Sequence, residues 1–133
     1  MGEAGIAVVV PSFRAKRTLR RSVESVARDA RAIVVFDGLD VAAEGAIADL
    51  PVEMLRMPAG SGASACRNAG LAQIEAPYVL FLDSDDYIEG PLLQAACRTA
   101  ANSLYVLSVA TQFMTNCTKN YTFGALRWKT WIY

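Results

Sequence analysis

The chain has 133 residues, of which 53% are hydrophobic and 20% charged, so it has the composition of one globular domain and not of a disordered segment. Its thirteen basic and thirteen acidic residues cancel, which gives no general attraction to nucleic acid. It contains no histidine, and this excludes Ser-His and Cys-His catalysis and most zinc sites, so a bound metal would need oxygen or thiolate ligands.

The three cysteines form no CxxC pair, and this indicates reduced thiols at Cys66, Cys97 and Cys117. The first residues lack the basic region of a signal peptide, and no apolar run approaches the roughly 20 residues of a membrane span. We therefore expect a cytoplasmic protein, with peripheral attachment to a membrane as the alternative.

The first strand and the first helix are predicted from two different apolar patterns. Residues 6–10 are a continuous apolar run that Pro11 closes, which is typical of a strand buried on both faces. In the basic stretch that follows, Leu19, Val23 and Val26 recur at spacings of four and three and predict one buried helical stripe. The arginines around this stripe are expected on a solvated face.

The next elements continue the alternation of strands and helices. Residues 32–36 predict a second buried strand, and residues 41–50 predict a weak helix. The charged side chains of a third strand over 52–57 place it near a sheet edge. A glycine loop and a helix of small residues over 63–74 follow.

The last predicted elements begin with the most hydrophobic strand, over 77–82, and continue with a helix over 91–101 and a strand over 104–109. Strand–helix alternation at this spacing predicts βαβ units. The predicted fold class is therefore α/β, with a Rossmann-like, mainly parallel sheet and helices on both faces. We predict a domain over residues 1–101, followed by a strand and an aromatic tail over 102–133.

Polar residues collect where the predicted strands end. Residues 11–14 follow the first strand, Asp37 follows the second, the loop 60–62 follows the third, and residues 83–86 follow the fourth. Because ligands bind at the carboxyl ends of the strands in an open parallel sheet, we expect these four segments to form one binding rim.

The strongest candidate site on this rim is the acidic cluster Asp83, Asp85 and Asp86. Carboxylates at the end of a buried strand repel one another and are poorly hydrated, so a divalent cation is the simplest way to stabilise them. Oxygen ligands suit Mn²⁺ or Mg²⁺, which usually complete their shell with substrate phosphates. The structural alternative is an acidic turn with a helix cap, for which Ser84 is suitable, but a cap requires one such residue and not three.

Two further rim residues have a functional and a structural interpretation. Asp37 precedes a glycine, and it either hydrogen-bonds a base or ribose or bonds the backbone of its own turn. Arg67 lies in a helix that begins at the glycine loop, where free amides favour anions, and it either approaches a phosphate or base or is a surface arginine. Cys66 is expected to be a small buried residue.

Four sequence segments carry these features in a characteristic order: Val8-Val-Val-Pro-Ser-Phe-Arg14, Val34-Val-Phe-Asp-Gly38, Gly60-Ser-Gly-Ala-Ser-Ala-Cys-Arg-Asn-Ala-Gly70 and Tyr78-Val-Leu-Phe-Leu-Asp-Ser-Asp-Asp86. Each segment alone has little specificity, but the four together, over about residues 6–100, resemble the inverting family 2 glycosyltransferases of GT-A fold. The resemblance implies that a sugar is transferred from a nucleotide-diphosphate donor, for which we expect a UDP-sugar, with Mn²⁺ or Mg²⁺ as cofactor.

The resemblance also assigns roles to residues of the rim. The nucleotide would be bound by Pro11, Ser12, Phe13, Asp37, Arg67, Asp83 and Ser84. The Asp83-x-Asp85 pair would match the DxD motif of the family and would contact the ribose and the metal-bound diphosphate. The metal would be held by Asp85 and Asp86, and which of the two is the main ligand stays open. The acceptor would be a saccharide, lipid or protein, and a role in cell-envelope polysaccharide synthesis is expected.

Three features differ from the family pattern. Arg14 stands where the family usually has Asn, and Phe36 stands where it usually has the first of two acids. No acidic residue follows Glu89, so the carboxylate base that inversion requires is absent from the chain. We therefore expect this chain to be truncated and to correspond to the donor-binding half of the family.

The segment from Asn102 onward contains seven of the twelve aromatic residues and no acid. We interpret it as an incomplete acceptor region. Its aromatic residues either contact an acceptor or a partner protein, or belong to a truncated or frameshifted terminus. The second interpretation is the one we favour.

Two other function classes stay open. The pattern Gly60-x-Gly62-x-x-Ala65 follows a strand and opens a helix, as in a NAD-type dinucleotide-binding domain, but the strand before it is polar. A non-catalytic fragment that binds a nucleotide-sugar is the other alternative, because no base is visible in the sequence.

Overall fold

The computed structural model describes residues 6–76 and 78–88, which form a parallel sheet with helices on both faces. The elements are β1 (Ile6–Ser12), α1 (Leu19–Glu24), β2 (Arg31–Asp37), α2 (Val41–Ile47), β3 (Glu53–Met57), α3 (Gly62–Ala72) and β4 (Tyr78–Phe81). Four strands pair in the order β3-β2-β1-β4, and every pairing is parallel. The predicted fold class is confirmed.

The side chains of the central strand β1 alternate between two apolar layers. Ile6, Val8 and Val10 belong to the cluster that contains the buried residues of α1 and α2. Ala7 and Val9 belong to a second cluster on the opposite face, together with residues of α3. A strand that is buried on both faces has apolar residues at consecutive positions, and this explains the β1 sequence.

Helix α1 buries the stripe that its sequence spacing predicts. Leu19, Val23 and Val26 are fully buried. The regular helix ends at Glu24, and the next turns continue through hydrogen bonds from the amides of residues 27 and 30 to carbonyls of the stripe. On its outer side, the Arg20 guanidinium pairs with the Asp49 carboxylate at 2.7 Å and thereby connects α1 to the segment after α2.

Several predicted boundaries differ from the structure by one to three residues, and two of these differences have a bearing on the sheet and its helices. β1 does not end before Pro11 but continues through Ser12, paired with β2. The Val9 carbonyl accepts the Leu82 amide on the β4 side. Pro11, two residues on, faces the same side beyond the end of β4 at Phe81, where a residue without an N–H can be accommodated. Helix α2 ends at Ile47, three residues earlier than predicted.

The polar strand β3 is an edge strand of the described sheet, as predicted. Its Glu53 carboxylate pairs with Arg31 of β2 at 2.6 Å, and Arg56 pairs with Glu44 of α2 at 2.6 Å. No helix in the part of the chain that the structure describes is both long and apolar enough to span a membrane. The predicted helix over 91–101, the strand over 104–109 and the tail over 102–133 lie outside the described residues.

Candidate functional site at the carboxyl edge of the sheet

A cavity of about 450 Å³ opens at the carboxyl ends of the strands. Its lining residues come from the ends of β1, β2 and β4 and from the first turns of α3: Pro11, Ser12, Phe13, Arg14, Ala15, Thr18, Asp37, Ala63, Cys66, Arg67, Asp83, Ser84 and Asp85. The rim that the sequence predicts thus exists in the fold. Every residue predicted to bind the nucleotide lines this cavity, as does Asp85, whereas Asp86 is not among the lining residues.

The segment after β1 presents an aromatic ring next to a cation. The Phe13 side chain is 59% exposed, and the Arg14 guanidinium carbon lies 5.0 Å from the centre of its ring. Arg14 has a backbone φ of 51°, a left-handed conformation that few residues other than glycine and asparagine adopt readily. The Ser12 hydroxyl is buried and has no hydrogen-bond partner among the described residues.

Asp37 joins the end of β2 to the start of α3. Its two carboxylate oxygens accept the amides of Ser61 and Gly62 at 3.0 and 3.1 Å. Two of the amides expected to be free at the start of this helix therefore already bind a carboxylate of the protein. These amides are the groups that would hold a pyrophosphate in a dinucleotide fold, so the contact also argues against that alternative.

The acidic cluster is compact. One carboxylate oxygen each from Asp83, Asp85 and Asp86 can be chosen so that all lie within 4.8 Å of one another. Asp86 is only 9% exposed, and its burial, followed by the charges of Asp85 and Asp83, raises the pKa of its carboxyl to about 6. A divalent cation at this point would remove the repulsion and would favour the ionised form of all three groups.

Arg67 reaches the acidic cluster from α3. Its guanidinium donates to the Asp83 carboxylate at 2.9 Å, and its side chain is 24% exposed. Arg67 is thus neither a free surface arginine nor remote from the rim. Its neighbour Cys66 is buried, as predicted, and burial raises the pKa of the thiol.

Three residues of α1 and the turn after it that contact the acidic segment were not predicted to belong to the site. The Ser22 hydroxyl donates to the Asp83 carbonyl at 3.1 Å, and the Ser25 hydroxyl accepts the Ile88 amide at 3.0 Å. The Arg21 guanidinium lies 3.6 Å from the centre of the Tyr87 ring. One feature of the sequence could have indicated the Ser22 contact: Ser22 lies on the stripe of Leu19, Val23 and Val26, where an apolar residue is expected.

The donor atoms of the cluster fit Mn²⁺ or Mg²⁺. All are carboxylate oxygens, which these ions prefer, and the two more exposed groups face a cavity with room for phosphate oxygens and water. A second cavity of about 430 Å³ adjoins the first and shares with it Phe13, Arg14 and Asp37.

The chain matches the family model described as glycosyl transferase family 2 over residues 7–131. The chain belongs to this family. Membership confirms the family that the four segments indicate, and the described fold is the one that its members share.

Three known proteins are similar to the chain in sequence or in fold. The chain is 41% identical over 85 residues, or 60% of its length, to the pre-mycofactocin glycosyltransferase of Mycobacterium tuberculosis, of which the match covers 17%. The mannosyltransferase PcManGT of Pyrobaculum calidifontis, solved with GDP-Man and Mn²⁺, has a TM-score of 0.66 and 15% identity over 75% of this chain and 33% of its own.

The third similar protein is the glucosyl-3-phosphoglycerate synthase of Mycobacterium tuberculosis, solved with Mn²⁺, UDP and glucosyl-3-phosphoglycerate. Its TM-score is 0.58 and its identity 20%, over 68% of this chain and 37% of its own. At identities of 15% and 20%, the similarity to the mannosyltransferase and to the synthase shows a shared fold. The chain thus spans less than a fifth of the curated relative and about a third of each solved chain.

Proposed function

We propose that the chain binds a nucleotide-diphosphate sugar together with Mn²⁺ or Mg²⁺, and that it supplies the donor site of an inverting glycosyl transfer. The observation that carries the proposal is the convergence of Asp83, Asp85 and Asp86, two of which, Asp83 and Asp85, line a cavity that is also lined by an exposed aromatic ring and an arginine. The carboxylates of Asp85 and Asp86 would hold the metal, whose charge would neutralise that of the diphosphate leaving group.

The cavity offers a contact for each part of the nucleotide. The exposed face of Phe13 suits stacking of a base, and Asp37 lies in the same lining with a carboxylate already oriented by two amides. Pro11, Ser12 and Ser84 complete the walls. We assign the base to the Phe13 and Asp37 side and the diphosphate to the side of the acidic cluster.

Arg67 and the acidic residues would contact different parts of the bound donor. Asp83 pairs with Arg67 and is the carboxylate we assign to the ribose, whereas Asp85 and Asp86 are assigned to the metal. Two neighbours of similar fold were solved with Mn²⁺, one with GDP-Man and one with UDP, and this supports metal-bound donors of either base. We propose UDP as the base-bearing product for this chain.

Inversion requires a base that deprotonates the acceptor hydroxyl. No acid follows Glu89 in the sequence, and we propose that the base and the acceptor site lie outside the donor site described above. The acceptor is a saccharide, lipid or protein. A chain that binds the donor but transfers nothing is the alternative, and a transfer assay with a labelled UDP-sugar separates the two.

Calorimetric titration with UDP tests the donor site. The wild-type chain is expected to bind UDP more tightly in Mn²⁺ than in EDTA, and Asp85→Ala is expected to lower the affinity in Mn²⁺ to the EDTA value. Asp29→Ala removes an exposed acid that precedes the opposite end of β2 and serves as the matched control. Equal affinities of wild type and Asp85→Ala in Mn²⁺ would contradict the assignment, and metal-independent binding of NAD would favour the dinucleotide alternative.

A further inference from the structure

The acidic segment over residues 83–88, here called the acidic loop, is attached to α1 and the turn after it at both of its ends. At its start, the Ser22 hydroxyl donates to the Asp83 carbonyl at 3.1 Å. At its end, the Ser25 hydroxyl accepts the Ile88 amide at 3.0 Å. These contacts connect residues that are 61 and 63 positions apart in the chain, so they fix the loop against a separate element.

The two serines are themselves held in place. Ser22 is fully buried, between Leu19 and Val23 on the inner side of the helix. The Ser25 hydroxyl donates its proton to the Ser22 carbonyl at 2.6 Å, so a lone pair of its oxygen faces the Ile88 amide. Since the apolar residues of α1 are anchored in the core, the helix offers the loop a rigid support.

The loop requires such a support because its carboxylates repel one another in the arrangement that the loop gives them. Asp83, Asp85 and Asp86 place like charges within 4.8 Å of one another, and in the absence of a cation the carboxylates tend to separate. Within the loop, the Asp86 amide bonds the Asp83 carbonyl at 3.0 Å and closes one turn. The Ser22 hydroxyl bonds the same carbonyl, so the turn and the helix share one acceptor.

We propose that Ser22 and Ser25 are positioning residues, whose bonds to the backbone of the acidic loop hold its carboxylates in the arrangement that binds the metal. The inference rests on the proposed function, since it assumes that the cluster binds Mn²⁺ or Mg²⁺. Neither hydroxyl contacts the ligand in this scheme. Each acts through the backbone of the loop, in the way that outer-shell groups orient metal ligands in other proteins.

The test measures the affinity of the 133-residue chain for Mn²⁺ at a fixed UDP concentration, in the wild type, Ser22→Ala and Ser25→Ala. Each alanine variant is expected to bind Mn²⁺ about tenfold more weakly, the loss that is typical when an outer-shell partner is removed. The affinity for UDP in EDTA is expected to change less, because the base contacts that we assign to Phe13 and Asp37 lie outside the loop, although Asp83 and Ser84 lie within it. Ser25→Thr keeps the hydroxyl and is expected to keep the Mn²⁺ affinity.

Ile47→Val is the matched control for a general loss of stability. Ile47 is fully buried in the same core, but it lies on α2. The inference is overturned if both serine variants bind Mn²⁺ as tightly as the wild type. It is also overturned if Ile47→Val, at the same thermal stability as the serine variants, loses as much Mn²⁺ affinity as they do. A wild-type chain without Mn²⁺-dependent UDP binding contradicts the proposed function, and the inference with it.

Discussion

Asp86 is a residue at which stability and the proposed function oppose each other. Its carboxyl is 9% exposed, and burial together with Asp85 and Asp83 raises its pKa from 3.8 to about 6. A raised pKa means that the folded state disfavours the ionised form. The cost is absent below about pH 4, where the group is protonated in both states, and it grows until pH 6 and stays at higher pH.

The first prediction concerns the charge of Asp86. In EDTA at pH 7.5, Asp86→Asn is expected to raise the free energy of unfolding by about 1–3 kcal/mol, because it removes a buried charge. The gain should fall as the pH is lowered from 6 to 4, and Mn²⁺-dependent UDP binding should be lost at every pH. Urea denaturation across this range measures the first effect, and a variant no more stable than the wild type at pH 7.5 would argue against it.

The second prediction concerns the backbone at Arg14. With φ at 51°, the position favours Asn over a β-branched residue by about 1 kcal/mol or more. Arg14→Asn and Arg14→Val both remove the guanidinium that lies over Phe13, so the comparison isolates the backbone term. Arg14→Val is expected to be less stable than Arg14→Asn in urea denaturation, and equal stability of the two would show that the position is not left-handed in solution.

At the scale of single elements, Gly70 sets how closely α3 approaches the sheet. A Cβ at this position would lie 2.5 Å from one methyl carbon of Val9, closer than real contacts allow, and 3.1 Å from a methyl carbon of Val35, which is a tight contact. The helix therefore rests on the central strands at a point where only glycine fits. This contact places Arg67, one turn earlier on the same helix, within reach of Asp83.

The third prediction compares Gly70→Ala with Gly45→Ala. Both changes favour a helix, but Gly45 on α2 has no atom within 4 Å of a new Cβ, whereas Gly70 has no space for one. Gly45→Ala is expected to stabilise by about 0.5–1 kcal/mol, and Gly70→Ala to destabilise by about 1–3 kcal/mol. Chemical denaturation measures both, and a stabilising Gly70→Ala would contradict the packing of α3.

The elements could be predicted because their signals are local. The spacing of Leu19, Val23 and Val26 gives the buried side of α1, and the charges of the third strand indicate an edge. The pairing of Asp37 with Ser61 and Gly62 could not be predicted, because it joins residues 24 and 25 positions apart whose proximity depends on the order of the strands. The serine contacts of the acidic loop span still longer separations.

At the scale of the whole molecule, the parallel sheet collects distant segments at one edge. The ends of β1, β2 and β4 and the start of α3 bring Phe13, Asp37, Arg67 and the acidic cluster to one cavity. The sequence was sufficient to predict that rim, since carboxyl ends of parallel strands share an edge. It was not sufficient for the bonds that orient the side chains, which arise only when the strands are in register.

The fourth prediction is the location of the metal, and paramagnetic broadening of backbone amide signals by Mn²⁺ in the presence of UDP measures it most directly. Broadening is expected to centre on residues 83–86 and to extend to Phe13 and Arg67. Arg31 and Glu53, at the starts of β2 and β3 and about 20 Å away, should be broadened much less, because the effect falls steeply with distance. Broadening that centres on other acidic residues would contradict a metal-dependent donor site at the acidic cluster. The absence of any broadening under conditions in which UDP binds would contradict it as well.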